Sequence, residues 1–166
     1  MAHVLPLTYL TIGIGQLRSK TINMRKVITM LKPNNTKHLK MQKGRVRGYE
    51  STNKRTQLRF GSYGIRATTN GRISAAEVEA ARRVFVRRMK RNGKLWIRVF
   101  PDVSVSSKPS ETRMGKGKGA ISHWISRIRS GVIIFEFDGL DCDTAKELAY
   151  ICNSKLSIKT EIIYEK

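Results

Sequence analysis

The residues best suited to chemistry in this sequence lie in a glycine-rich basic segment, residues 108–119 (KPSETRMGKGKG). Its glycines alternate with lysines after an arginine and a methionine, giving Arg113, Met114, Gly115, Lys116, Gly117, Lys118 and Gly119. Glycine lets a backbone pass close to another backbone, and the cations can bind phosphate. The segment lacks both the P-loop spacing and the hydroxyl that would hold Mg²⁺. It predicts a phosphate-contacting loop; a solvated surface loop is the alternative.

The other reactive residue types are dispersed along the chain. The histidines stand far apart and have no carboxylate or cysteine neighbours: His3, His38 and His123. Cys142 and Cys152 form no CxxC pair, so neither zinc binding nor redox chemistry is indicated. Glu136 and Asp138 share one face of a predicted strand, but they lie away from the cationic loop. We therefore expect no enzymatic activity, no metal and no cofactor.

Positive charge dominates the chain and is unevenly distributed. Lys and Arg number 33 against 12 Asp and Glu, a formal net charge of +21. Residues 1–131 hold 29 basic and 5 acidic residues, whereas residues 132–166 hold 4 and 7. Such self-repulsion calls for a polyanionic partner, and the basic part predicts a nucleic-acid-binding surface that the C-terminal part does not share. No apolar run approaches the ~20 residues of a membrane span.

The elements that must position these cations begin with a helix over Ser74–Arg91. Ser74 and Glu77 have the spacing of a capping box. One predicted face is apolar and buried: Val78, Ala81, Phe85 and Met89. The opposite face is a cationic ridge: Arg83, Arg87, Lys90 and Arg91.

Strand-like alternation predicts the rest of the fold. In residues 58–69, where Gly61 and Gly64 interrupt the alternation, we expect short paired strands with a bulge or a close backbone approach. A strand over 94–100 is followed by a long loop to about Gly119. Residues 121–129 and 132–138 read as a hairpin around Ser130-Gly131. A second helix would be capped by Asp141 or Asp143 and would bury Ala145, Leu148, Ala149 and Cys152, before a last strand over 158–164. The predicted fold class is α+β, a two-layer sandwich with two helices on one face of a mostly antiparallel sheet.

The N-terminal 29 residues differ in composition from the single domain expected over residues 30–166. They combine an apolar stretch with basic residues and no acids, as transit peptides do, and we interpret them as a retained N-terminal extension that binds RNA or a neighbouring protein. Residues 32–59 are basic and have little periodicity, so we expect RNA to order them. Phe60, Tyr63, Trp96 and Trp124 could stack on bases, although packing is the more common role of such rings.

Several segments together resemble the bacterial-type large-subunit ribosomal protein numbered sixteen. They occur in the family's order and spacing: KPNNTKHLKMQKGRVRG (32–48), FGSYGIRA (60–67), GRISAAEVEAARR (71–83), GKLWIRVFPD (93–102), KPSETRMGKGKG (108–119) and FEFDG (135–139). The resemblance implies a structural protein that binds large-subunit rRNA near the central protuberance and the aminoacyl-tRNA site. It implies that the RMGKGKG loop approaches the peptidyl transferase centre and the tRNA there.

The resemblance also implies rRNA contacts at Lys43, Arg45, Arg47, Arg82 and Arg83. Basic character extends the expected contacts to Lys40, Arg59, Arg66, Arg72, Arg87, Lys90, Arg91 and Lys94. The expected partners are large-subunit rRNA, aminoacyl-site tRNA and neighbouring large-subunit proteins, without a membrane or a homo-oligomer. Two rival classes are an RNA-modifying enzyme and a DNA-compacting organelle protein.

Two departures from the family pattern bear on the compartment. Residues 1–29 precede the usual start, and residues 50–57 are more basic and slightly longer than the pattern. Together with a Lys- and Ile-rich composition, they favour a mitochondrial ribosome, with plastid and bacterial ribosomes as the alternatives.

Overall fold

The computed structural model describes residues 31–49, 54–90 and 92–164. The predicted extension, residues 1–29, and Arg91 lie outside the described residues. The elements follow the chain as β1 (Tyr63–Ala67), β2 (Gly71–Ser74), α1 (Ala75–Met89), β3 (Lys94–Ile97), β4 (Val103–Ser107), β5 (Ala120–Ile128), β6 (Ile133–Asp138), α2 (Cys142–Asn153) and β7 (Thr160–Tyr164).

The strands form two antiparallel sheets. The larger sheet has the order β3-β6-β1-β7 and the smaller β2-β5-β4. Phe135 on β6 lies opposite Ile65 on β1 and Ile97 on β3, so these side chains share one face of the larger sheet. The helices and this face enclose the core, which confirms the predicted α+β sandwich.

Helix α1 follows its sequence signals closely. The Ser74 hydroxyl accepts a hydrogen bond from the Glu77 backbone N–H at 3.2 Å, as an N-cap should. The predicted apolar face is buried: Val78, Ala81, Phe85 and Met89. The Phe85 ring lies 5.4 and 5.1 Å from the rings of Phe135 and Phe137. Lys90 adopts a left-handed conformation with φ 45° and ends the helix just before the predicted boundary.

Helix α2 also forms where it was expected. Asp141 is its N-cap, although its carboxylate makes no capping hydrogen bond. The buried residues are Ala145, Leu148 and Cys152, as predicted, and Ala149 is half-buried. The two helices contact each other, and the ion pair between Arg88 and Glu147 joins them.

The predicted hairpin of β5 and β6 is wrong, because the two strands belong to different sheets. Both edges of β6 are occupied by β1 and β3, while β5 lies between β2 and β4. The burial patterns agree with this separation: Ile133–Phe137 are buried on both faces, whereas β5 exposes charged side chains such as that of Arg127 on one face. Gly131, at φ 97°, turns the chain from one sheet to the other and donates its N–H to the Ala67 carbonyl at 2.8 Å.

Two further strand predictions need correction. Residues 58–69 contain only β1, which pairs with the distant β6 and β7. The register with β6 shifts between Ile65 and Arg66, and the predicted close backbone approach occurs at Gly61, where a Cβ atom would lie 2.7 Å from the Phe137 carbonyl oxygen. The predicted long loop after Pro101 contains β4, which shortens the loop to residues 108–119. Strand β4 is short and rich in serine (VSVSS), so its sequence signal is weak.

Candidate nucleic-acid interface

The glycine-rich loop, residues 108–119, joins β4 to β5 and therefore projects from the end of the smaller sheet. Three successive residues in it have positive φ: Gly115 at 94°, Lys116 at 55° and Gly117 at 79°. A non-glycine residue seldom adopts this conformation, so the two flanking glycines ease a turn in which Lys116 itself is left-handed. The Met114 side chain is fully exposed beside this turn.

Lysine side chains hold the loop in place. Lys108 Nζ donates to the Gly115 carbonyl, and Lys118 Nζ donates to the Met41 carbonyl at 2.7 Å. Lys40 Nζ in turn donates to the Lys118 carbonyl at 2.8 Å. Lys40 and Lys118 thus form a reciprocal pair of hydrogen bonds, which we call the lysine clasp, between the loop and the basic segment that precedes β1.

Arg113 and Lys116 are the loop cations that remain available. Both are exposed, and neither side chain makes a hydrogen bond or ion pair with the residues that the structure describes. Two of the loop's four cations therefore order it, and the other two present charge to solvent.

The base of the loop shows the close backbone approach that its glycines predict. A Cβ atom on Gly119 would lie 2.3 Å from the Ser107 carbonyl oxygen, which is too close for any side chain at this position. Gly115 and Gly117 face open space instead, so their role is conformational. The glycines thus serve two purposes: Gly119 permits β4 and β5 to meet, and the other two permit the turn.

A second cationic feature is an arginine-lined cleft of about 740 Å³ between the basic segment and the smaller sheet. We call it the arginine cleft, and its arginines are Arg45, Arg47, Arg55, Arg98, Arg127 and Arg129. They come from parts of the chain that are far apart in sequence, and Arg45 and Arg47 also line an adjoining cleft beside Arg72. Of these residues, the sequence prediction had named Arg45, Arg47 and Arg72.

The wall of the arginine cleft is fixed by a buried carboxylate. Glu136 on β6 is fully buried and forms an ion pair with Arg98. Its other oxygen accepts hydrogen bonds from the backbone N–H groups of Phe60 at 2.8 Å and Arg59 at 3.3 Å. Because a buried charge is stable only with such partners, Glu136 anchors both Arg98 and the chain that leads into β1.

The aromatic candidates are mainly packing residues, as expected. Tyr63 stacks on Phe137 with ring centroids 5.6 Å apart, and Trp96 is stacked on Phe60 at 6.0 Å. Trp124 is half-buried. Phe60 is 55% exposed and carries the Arg98 guanidinium at 5.4 Å from its ring centroid. Phe100, which the prediction had not singled out, is exposed and lines the arginine cleft.

Two of the arginines on α1 that were predicted to contact rRNA form ion pairs with Glu79. Glu79 accepts hydrogen bonds from Arg82 at 2.7 and 2.8 Å and from Arg83 at 3.0 Å. The hydrogen bonds from Arg82 do most to hold the pKa of Glu79 below its usual value, against the opposing effect of burial. The Arg82 side chain is only 20% exposed and that of Arg83 57%, so Arg83 retains more donor surface. Arg87 and Lys90 are exposed on the same helix and have no partner among the described residues.

The remaining predicted cations are dispersed. Arg66 forms an ion pair with Glu161 at 2.6 Å, across β1 and β7. Lys94 lies opposite Asp138, and its charge adds to the hydrogen bond from Ser62 that mainly lowers the pKa of that carboxyl. Lys43 and Arg59 are exposed. The structure thus groups the cations into the loop, the arginine cleft and the outer face of α1, with Arg66 and Lys94 apart from these groups.

Sequence reasoning missed four arginines of the cleft: Arg55, Arg98, Arg127 and Arg129. Arg127 and Arg129 flank the buried Ile128 at the end of β5, and this alternation indicates that both arginines project to one exposed side. No local pattern could have placed them beside Arg45 and Arg47, because that proximity depends on how the basic segment lies on the sheet.

Other chemistry finds little support in the described residues. They contain no group of three or more His, Cys, Asp or Glu side chains placed to hold a metal ion. Cys142 is exposed, whereas Cys152 is buried and burial raises the pKa of its thiol to about 12. None of the helices described is long and apolar enough to cross a membrane.

Comparison with known proteins places this chain in a family. The family described as "Ribosomal protein L16p/L10e" matches residues 33–163. "Large ribosomal subunit protein uL16m" of Prototheca wickerhamii is 52% identical over 81% of this chain and 98% of its own length. The uL16 protein of Xanthobacter autotrophicus is 50% identical over 81% and 96%, and uL16c of Cyanidium caldarium is 48% identical over 81% and 94%. The chain therefore belongs to the ribosomal protein L16p/L10e family, as the motifs predicted.

Proposed function

We propose that the protein is a structural constituent of the large ribosomal subunit that binds large-subunit rRNA near the central protuberance and the aminoacyl-tRNA site and supports tRNA accommodation. Its relatives are named as large ribosomal subunit proteins. Membership of a ribosomal-protein family agrees with the expected non-enzymatic role, and it disfavours an RNA-modifying enzyme or a DNA-compacting protein. The partners would be rRNA, aminoacyl-site tRNA and neighbouring large-subunit proteins, with a single copy of this chain.

The proposed ribosome is mitochondrial. The relative named uL16m is 52% identical, which agrees with the location expected from the sequence. The relatives named uL16 and uL16c, at 50% and 48%, represent the bacterial and plastid alternatives.

The proposal depends on the different roles of the four loop cations. Lys108 and Lys118 hold the loop in place through hydrogen bonds to backbone carbonyls. Because the loop backbone is already ordered, Arg113 and Lys116 can bind a phosphate backbone at a lower cost in conformational entropy. In the proposed mechanism the cations of the cleft and of α1 fix the protein on rRNA by displacing counterions. The loop tip then contacts the sugar-phosphate backbone of a tRNA in the aminoacyl site, while catalysis remains with the RNA.

The test replaces Arg113 and Lys116 by alanine and leaves Lys118 in place to keep the loop ordered. We expect the variant to enter large subunits in normal amounts but to slow peptide formation with an incoming aminoacyl-tRNA, on the order of tenfold for two lost charge-assisted contacts. The measurements are sedimentation of the subunits and single-turnover peptide formation.

A matched control removes the same charge from the C-terminal part of the chain, with Lys155→Ala and Lys159→Ala. Both lysines are exposed and lie in the segment with net negative charge. We expect this variant to assemble and to form peptide at the normal rate. Normal peptide formation by the loop variant would show that the loop has no part in tRNA accommodation.

A further inference from the structure

Two arginines on neighbouring strands lie directly opposite each other beside the arginine cleft. Arg72 on β2 pairs in register with Arg127 on β5, which places both side chains on the same face of the smaller sheet. Like charges in this position destabilise a sheet. Arg72 donates to the Gly44 carbonyl, but its buried Nε has no hydrogen-bond partner among the described residues. An anion bound beside these two guanidinium groups would offset their mutual repulsion.

Three guanidinium groups of the cleft have no partner in the described part of the chain: Arg45, Arg47 and Arg127. Arg45 and Arg47 are exposed on the basic segment, and Arg127 faces them from β5. Asp102 is the single acidic residue among the described residues of the lining. Guanidinium groups bind phosphate through paired hydrogen bonds, and a concave surface lined by one sign of charge concentrates the field. The chemistry of the cleft therefore fits a sugar-phosphate backbone.

The shape of the cleft distinguishes between forms of RNA. A duplex carries its phosphates on a convex surface, which suits a ridge such as the outer face of α1. A single strand can enter a cleft and can turn its bases away from its phosphates. Phe100 is 46% exposed at the cleft, between Val99 and Pro101, which are both buried and so hold its backbone. An exposed aromatic ring beside arginines is a surface on which an unpaired base can stack.

We propose that the arginine cleft binds an unpaired segment of rRNA, with backbone phosphates held by Arg45, Arg47 and Arg127 and one base stacked on Phe100. This inference rests on the proposed function and specifies the form of RNA that one part of the surface recognises. The ion pair of Glu136 with Arg98 keeps the opposite wall in place before RNA arrives.

The experiment compares two labelled RNA hairpins of equal length, one perfectly paired and one with a bulge of three unpaired nucleotides. The full chain is titrated with each at one salt concentration. We expect the wild-type protein to prefer the bulged hairpin. Arg45→Gln with Arg127→Gln should weaken binding to the bulged hairpin about tenfold more than binding to the paired one, because two phosphate contacts of the cleft are lost.

Phe100 is tested separately, since its role differs from that of the arginines. Phe100→Leu should lower the preference for the bulged hairpin about tenfold, by removal of one stacked base, whereas Phe100→Tyr should retain it. A Phe100→Leu variant with unchanged preference would overturn the stacking part of the proposal.

The control pair is Arg87→Gln with Lys90→Gln, which removes the same charge from α1. We expect it to weaken binding to both hairpins equally. If the cleft variant also weakens both equally, the cleft contributes only general charge and the inference is wrong, although RNA binding itself stands. If the wild-type protein binds neither hairpin, the proposed function fails as well.

Discussion

Glu79 illustrates how one acidic residue can change the roles of two neighbouring cations. It is almost fully buried on α1 and accepts hydrogen bonds from both Arg82 and Arg83. Arg82 was expected to contact rRNA, yet its Nε and one Nη are already satisfied by Glu79. Any contact of Arg82 with RNA would have to compete with this ion pair, so Arg83 is the better candidate of the two.

The ion pair makes stability depend on pH. Because the pKa of Glu79 in the folded state lies below its unfolded value of 4.5, its contribution is present above pH 4.5 and is lost as the pH falls through the lowered pKa. We expect Glu79→Gln to reduce the free energy of unfolding by about 2 kcal/mol at neutral pH. The difference from wild type should shrink towards zero in strong acid. Urea denaturation of both proteins across this range measures it.

Glu111→Gln is the matched control, because Glu111 is exposed in the glycine-rich loop. It should leave the free energy of unfolding nearly unchanged at every pH. A Glu79→Gln deficit of equal size at neutral and acid pH would mean that shape, and not charge, explains the effect.

Some of these residue-scale features were open to sequence reasoning. Glu79 stands three and four residues before Arg82 and Arg83, the spacing at which helical side chains meet, so the pairing could have been predicted. The role of Glu136 could not. Its partners are the distant Arg98 and two backbone N–H groups that only the folded chain brings together.

At the scale of elements, prediction succeeded where the signal is local and failed where it is not. Helix α1 has a cap, an apolar face and a definite end within one stretch of chain, and each was predicted. The pairing of β5 and β6 was inferred from their adjacency and a Ser-Gly turn, but β6 pairs instead with β1 and β3, which are distant from it in sequence, and β5 pairs with β2 and β4. The glycine-rich loop was recognised by composition, while the lysine clasp that holds it was not.

A substitution at Gly119 tests the close approach of β4 and β5 at the base of the glycine-rich loop. Gly119→Ala would place a Cβ atom 2.3 Å from the Ser107 carbonyl oxygen, so either β4 or β5 must shift. We expect the substitution to lower the free energy of unfolding by 2 kcal/mol or more, on the order of other backbone clashes. Thermal and urea denaturation followed by circular dichroism would measure it.

Gly117→Ala is the control for this prediction. Its Cβ atom meets nothing within 4 Å, so only the left-handed backbone at φ 79° opposes it, at a cost of about 1 kcal/mol. If Gly117→Ala destabilises the protein as much as Gly119→Ala, the close approach of β4 and β5 is not what requires a glycine at 119.

At the scale of the whole molecule, the separation of charge predicts which part of the fold faces RNA. Residues 1–131 carry a net charge of +24 and residues 132–166 a net charge of −3. The C-terminal part supplies β6, α2 and β7, which build the core and one edge of the larger sheet. The overall charge and its asymmetry were readable in the sequence; the grouping of the cations on three surfaces was not.

Salt dependence tests this separation. The slope of log affinity against log salt concentration is negative, and each lost phosphate contact lowers its magnitude by about one. We expect Arg87→Gln with Lys90→Gln to lower the magnitude of the slope for a large-subunit rRNA fragment by about two, and Lys155→Ala with Lys159→Ala to leave it unchanged. Titrations over a range of potassium chloride concentrations measure the slopes. Equal slopes for the two variants would contradict an RNA-facing side confined to the basic part.

The central position of β6 also has a consequence for the newly synthesised chain. Val132–Phe137 (VIIFEF) is an apolar, β-prone run that would aggregate readily if it stayed exposed. Its two hydrogen-bonding neighbours, β1 and β3, precede it in the chain, so both have left the translating ribosome before β6 emerges. Glu136, the single charge within the run, opposes self-association during that interval and afterwards becomes the buried anchor.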